Sequence, residues 1–208
     1  MRVITGTAKG RKLKTLPGLD VRPTIEGVKE AIFSIVQFDV EDAIVLDLFA
    51  GSGQLGIEAL SRGAKKVVFV DNSAESIKII KDNLKHTELT ENAVVCNMAN
   101  NAFLRSTREK FDIAILDPPY NHKLIHKSMP QLVEKMSESG IIICEHEKET
   151  SLPERFGDFA ISKIYRHGRV TLTAYRRSVL EDEKGSEETE ENETESENIP
   201  IETDSEEI

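Results

Sequence analysis

Apolar positions recur along this chain in two rhythms, and their alternation predicts an α/β fold. Runs rich in Val, Ile and Leu occupy residues 43–49, 66–71, 93–96, 113–117 and 140–144. Between them the period lengthens to that of a helix. The clearest case is 73–86, where Ile77, Ile80 and Leu84 share one face and Asn72 with Glu75 has the form of a capping box. An earlier helix follows Pro23, with Thr24 as N-cap and Val28, Ile32, Ile35 and Val36 as its apolar stripe. Gly63 is placed to end the helix between the first two runs. Apolar strands alternating with helices imply a parallel sheet covered on both faces. Two last runs, 160–165 and 170–175, flank Arg166-His167-Gly168-Arg169 and predict an antiparallel hairpin. Residues 1–16 read as two short strands, 2–5 and 12–15, joined across Ala8-Lys9-Gly10.

Charge divides the chain more sharply than hydropathy does. The net charge of the 208 residues is −10, yet residues 181–208 alone carry −13, leaving 1–180 at +3. That tail holds too little apolar surface to join a core and is expected to be disordered. Residues 1–22 form an N-terminal extension and 23–180 the main domain. The extension carries Arg2, Lys9, Arg11, Lys12, Lys14 and Arg22 against a single acid, Asp20, a clustering suited to a polyanion. A charged face bathed in water would have the same composition. Cys96 and Cys144 lie in apolar runs without metal-ligand spacing, so buried free thiols in a reducing compartment are expected. His122, His126 and His146 share no metal spacing either, and no metal is expected. No apolar stretch approaches the ~20 residues of a membrane span, and a cytoplasmic protein is expected.

Two loops carry the chemistry. The first run ends in Asp47-Leu48-Phe49-Ala50-Gly51-Ser52-Gly53, and Gly51, Gly53 and Gly56 satisfy the G-x-G-x-x-G spacing of dinucleotide sites. Asp47 argues against a pyrophosphate, because its carboxylate would repel one. S-adenosylmethionine carries no phosphate and has a cationic amino group and a sulfonium. Asp71 ends the second run, where an acid can bind ribose hydroxyls, with Asn72 beside it. After the third run, Asn97 is placed to meet an adenine amino group and Met98 to pack on its ring. Ordinary loop roles fit Asn97 and Met98 equally well.

The second loop is Asp117-Pro118-Pro119-Tyr120. The exocyclic amine of guanine or adenine is a poor nucleophile, since its lone pair is delocalised into the ring. Two acceptors, the Asp117 carboxylate and a main-chain carbonyl such as that of Pro118, can draw it toward sp3 geometry. The prolines hold the acceptors in a rigid, extended segment. Tyr120 can stack on an unstacked base.

In these two loops and several further segments the chain resembles the RsmD-type methyltransferases, which modify a guanine at N2 in small-subunit (16S) ribosomal RNA. The resemblance spans residues 1–177. It rests on Gly10-Arg11-Lys12-Leu13, Arg22-Pro23-Thr24, Val28-Lys29-Glu30-Ala31-Ile32-Phe33, the two loops, and Glu58-Ala59-Leu60-Ser61-Arg62-Gly63-Ala64. It implies a Rossmann-like class I fold: a mostly parallel seven-stranded sheet, helices on both faces, an antiparallel C-terminal hairpin and an N-terminal β-hairpin extension. It implies a monomer that acts on ribosomal RNA within the small subunit or an assembly intermediate. By position, Asp47, Phe49, Ala50, Gly51, Ser52 and Gly53 would line the methionine end of S-adenosylmethionine, and Asp71 its ribose. Asp117 to Tyr120 would hold the base, with Arg11, Arg22 and Thr24 on the RNA side. This chain departs from the family pattern at Met98, where an acid is usual, and at Gly27, where a basic residue is common. Arg166-His167-Gly168-Arg169 replaces a Tyr-Gly-Asp form. A DNA adenine-N6 methyltransferase would share the Asp-Pro-Pro-Tyr chemistry. The 19 residues of 121–139 leave no room for its target-recognition region. A protein-glutamine methyltransferase would carry Asn in place of Asp117. A non-catalytic RNA-binding assembly factor would not need both loops intact.

Overall fold

A computed structural model describes residues 1–16, 23–119 and 123–178, and the side chains of the first helix from Glu26 onward. Arg22, Tyr120, His122, the Thr24 side chain and the acidic tail lie outside the described residues. The elements are α1 (Pro23–Ile35), β1 (Ile44–Asp47), α2 (Gln54–Ser61), β2 (Lys66–Asp71), α3 (Ala74–Thr87), β3 (Ala93–Asn97) and α4 (Asn100–Ser106). They continue with β4 (Phe111–Leu116), α5 (Leu124–Leu132), β5 (Met136–Glu147), β6 (Arg155–Phe156), β7 (Phe159–His167) and β8 (Val170–Arg177).

All eight strands join one sheet in the order β3-β2-β1-β4-β5-β8-β7-β6. β3 through β5 are parallel, whereas β8, β7 and β6 add antiparallel neighbours. The expected seven strands are present, and two-residue β6 extends the edge. Strand side chains alternate between two apolar cores. Val45, Val67, Phe69, Ile113, Ile115, Ile141 and Ile143 point toward α1, α2 and α3. Leu46, Val68, Val70, Ala114, Leu116, Ile142 and Cys144 point toward α4 and α5. A strand buried on both faces has no polar alternation, which explains the unbroken apolar runs.

Four local expectations are corrected. The N-terminal hairpin is reduced to one antiparallel bridge, Arg2–Lys12. Backbone pairing across it persists, with Val3 N–H donating to Arg11 O at 3.0 Å, Gly10 N–H to Val3 O at 2.9 Å and Leu13 N–H to Met1 O at 2.9 Å. Ile4 and Thr5 N–H instead donate to Glu58 at 2.8 and 2.9 Å, and Lys14 N–H to Asn83 Oδ1 at 2.8 Å. The cap of α3 is Ser73, whose side chain accepts from Ser76 N–H at 3.3 Å, and Asn72 stays outside the helix. α1 begins at Pro23, a residue that needs no backbone donor in the first turn. Cys144 is buried, but Cys96 only half-buried, because β3 is the sheet edge. Gly63 follows α2 at φ +98°, as the pattern predicts.

Candidate active site

Parallel strands all end at one pole of the sheet, and β2, β1 and β4 deliver Asp71, Asp47 and Asp117 there side by side. Between β1 and α2 the chain must turn sharply, and Gly51 (φ +52°) and Gly53 (φ +76°) supply the left-handed conformations. A Cβ on Gly51 would meet nothing within 4 Å, so the loop's outer side is open to a ligand. Gly56 serves packing: a Cβ there would lie 2.2 Å from the Phe69 ring.

Three side chains hold this loop from behind. Gly51 N–H donates to Asp71 Oδ2 at 2.9 Å, and Ser73 N–H to its other oxygen at 2.8 Å. Gly56 N–H, in the first turn of α2, donates to Asp47 Oδ2 at 2.9 Å. Gly53 at the N-cap has no side chain, so Asp47 performs the capping from the neighbouring strand. Asn83 Nδ2 donates to Ser52 O at 3.0 Å and to Lys14 O at 3.0 Å. Sequence reasoning missed Asn83. Its one signal is a polar residue three positions after Ile80 on the apolar face of α3.

The electrostatics of this row are unbalanced. Asp47 is 1% exposed, and burial, with the Asp117 and Asp71 carboxylates adding repulsion, raises its pKa to about 7 against the Gly56 hydrogen bond. Asp117 is half-buried, and desolvation raises its pKa to about 6. Among the described residues no cation forms a salt bridge with Asp47, Asp71 or Asp117. Such a row favours a cationic guest and repels a phosphate.

The other expected contacts surround this row. Ala50 and Ser52 are buried within the loop, and Phe49 is half-buried against the second core. Asn97 is exposed at the end of β3, where its Nδ2 donates to Asp71 O at 3.2 Å. Met98 is half-buried, and its N–H donates to the same carbonyl at 3.1 Å. Asn72 is exposed beside Asp71. Pro118 is buried and Pro119 exposed. Arg11 lies elsewhere: its guanidinium donates to His86 O at 2.5 Å and pairs with Glu88 at 3.0 Å, at the C-terminal end of α3. Among the described residues no group of acids, histidines and cysteines could hold a metal, and no helix is long and apolar enough to cross a membrane.

Glycine loop, strand order and closing antiparallel strands are those of a Rossmann-like methyltransferase. The chain belongs to the RsmD-type family, whose model, described as Conserved hypothetical protein 95, matches residues 1–176. It is similar to YlbH of Bacillus subtilis, provisionally named an rRNA methyltransferase, at 40% identity over 183 residues, covering 85% of this chain and 99% of that protein. It is also similar to Ribosomal RNA small subunit methyltransferase D of Escherichia coli, at 33% identity over 180 residues, covering 85% and 90%. A solved Escherichia coli structure provisionally described as the methyltransferase yhhF superposes with a TM-score of 0.74. It is 31% identical and covers 85% of this chain and 97% of that one.

Proposed function

We propose that this chain methylates the N2 amine of a guanine in small-subunit ribosomal RNA, with S-adenosylmethionine as methyl donor. One observation carries the reading: a row of three carboxylates, two with raised pKa values, beside an open glycine loop and with no cation paired to it among the described residues. The names of the relatives supply the substrate class. When bound, S-adenosylmethionine supplies an electrophilic methyl group on a sulfonium.

The chain's own residues then divide the work. Asp47 and the Gly51–Gly53 loop hold the cationic methionine end, Asp71 and Asn72 the ribose, and Asn97 and Met98 the adenine. Asp117 is mostly ionised at neutral pH and accepts a hydrogen bond from the guanine amine. The Pro118 carbonyl accepts the second, so the lone pair is aimed rather than delocalised. Tyr120 stacks on the base.

Methyl transfer from labelled S-adenosylmethionine to purified small ribosomal subunits, read by nucleoside mass analysis, tests the reading. N2-methylguanosine is expected, and Asp117→Ala should lower kcat by about 10²–10⁴ with cofactor affinity within a few-fold. Methyladenosine, or no transfer at all, would overturn the reaction. The wild-type rate should also fall as pH drops below about 6, where Asp117 takes up its proton.

A further inference from the structure

Several of the N-terminal cations are already paired within the protein, although Lys9 and Lys12 are exposed and form no salt bridge among the described residues. α3 leaves the carboxylate pole and runs back for 14 residues, about 21 Å. Arg11 is bound to its far end, through His86 O and Glu88. Arg2 pairs with Glu26 and Lys14 with Asp82, so these charges are also answered within the protein. The β7–β8 turn is placed oppositely. β8 runs antiparallel to β5, and Val170 pairs with Glu147 at the C-terminal end of β5. Leu116, next to Asp117, pairs with Cys144 on the same strand. The turn therefore stands at the carboxylate pole, beyond Asp117 along the strand direction. The two strands it joins, β8 and β7, lie two and three strands from β4 in the sheet, about 10 and about 14 Å.

Arg166, His167 and Arg169 are all exposed on this turn. Among the described residues neither arginine forms a salt bridge or a side-chain hydrogen bond. The turn's backbone is held in place, because Lys148 N–H donates to Arg169 O at 3.2 Å. Gly27 on α1 makes room for His167: a Cβ there would lie 2.9 Å from its Nε2. Glu147 and Glu149 sit beside Lys148, so the turn offers two discrete guanidinium forks and not a broad positive field.

We propose that the β7–β8 turn, through Arg166 and Arg169, grips RNA backbone phosphates flanking the target base. This rests on the reading of the chain as an RNA methyltransferase and deepens it. His167, seated on Gly27, couples the position of the turn to α1.

The test compares Arg166→Glu/Arg169→Glu with Arg11→Glu in the full-length chain. Binding to a fluorescent guanine-containing RNA hairpin is followed by anisotropy across a salt series. Methylation of small ribosomal subunits is measured in parallel. The double variant should reduce the log–log salt slope by about 1.5, because two phosphate contacts are lost. It should raise KM for subunits about tenfold while kcat and S-adenosylmethionine affinity stay within twofold. Arg166→Lys/Arg169→Lys should restore the slope, whereas Arg11→Glu should leave it unchanged. An unaltered slope in the double variant, or a larger effect from Arg11→Glu, would overturn the proposal. So would a fall in cofactor affinity, which would mark a disturbed fold. If the wild-type chain methylates no subunit RNA, the functional reading fails, while anisotropy still decides the role of the turn.

Discussion

Glu58 and Asp47 are both acids in the interior, 0% and 1% exposed, yet their surroundings differ completely. Glu58 accepts from Ile4 and Thr5 N–H and from Arg62 Nε at 2.9 Å, and Lys29 Nζ lies 3.2 Å away. Lys29 also donates to Arg2 O at 2.6 Å, and burial lowers its pKa against the pull of Glu58. Asp47 has one N–H donor, and two more carboxylates bear on it. The first acid is saturated from within and pins the N-terminal segment to α1 and α2. The second is left wanting a cation. Buried charge that is fully answered inside the protein is structural, whereas buried charge left unanswered at an open loop marks the place for a ligand.

Removing Glu58 should have the largest effect on stability. Glu58→Ala strands Lys29 and two backbone donors and should cost about 3–5 kcal/mol. Cofactor affinity of the fraction still folded should be unchanged. A denaturant series with calorimetry on the folded fraction checks both, and a loss of affinity without a loss of stability would break the comparison.

Asp47→Asn should do the opposite and stabilise the cofactor-free protein at pH 8. Wild-type Asp47 titrates near 7 when folded, well above an ordinary carboxylate. The folded chain therefore retains a proton that the unfolded chain loses, and stability falls as pH rises from about 4 to 7. Asparagine keeps an acceptor for Gly56 N–H and removes the repulsion. Its gain in Tm should be present at pH 8 and fade toward pH 5, while S-adenosylmethionine binds about tenfold more weakly, roughly 1.4 kcal/mol. The wild-type affinity should rise with pH up to about 7 and then level, since the cation binds the ionised acid. Equal Tm changes at both pH values would sink the account.

Asn83 sharpens the comparison with a smaller effect. Asn83→Ala leaves Ser52 O and the main-chain N–H and C=O of Lys14 without their partner, at a cost of about 1–3 kcal/mol. Cofactor affinity should fall several-fold although Asn83 reaches only the back of the loop. Unchanged affinity beside reduced stability would confine Asn83 to the scaffold.

Much of the fold was legible because it is written in local periodicity. The apolar run 66–71 coincides with β2, and the helical period over 73–86 matches α3 within one residue at each end. The glycine loop and Asp117-Pro118-Pro119 were equally legible, since a left-handed turn and a rigid proline segment are local requirements. Other assignments depended on distant partners. Residues 2–5 look like a full strand, but Glu58 takes the Ile4 and Thr5 donors and leaves Val3 N–H to pair across to Arg11 O. Arg11 looks free until Glu88, 77 positions away, claims it. Asn83 reveals its role only when α3 packs behind Ser52.

By itself the sequence determined the alternation of strands and helices, the pole at which loops gather and the residue types suited to methyl transfer, because each depends on neighbours within a turn or a strand. Tertiary structure alone decided which charges are answered inside the protein and which are left facing a ligand. Compensation of a charge depends on distance in space, and packing brings together side chains that the chain itself keeps tens of residues apart.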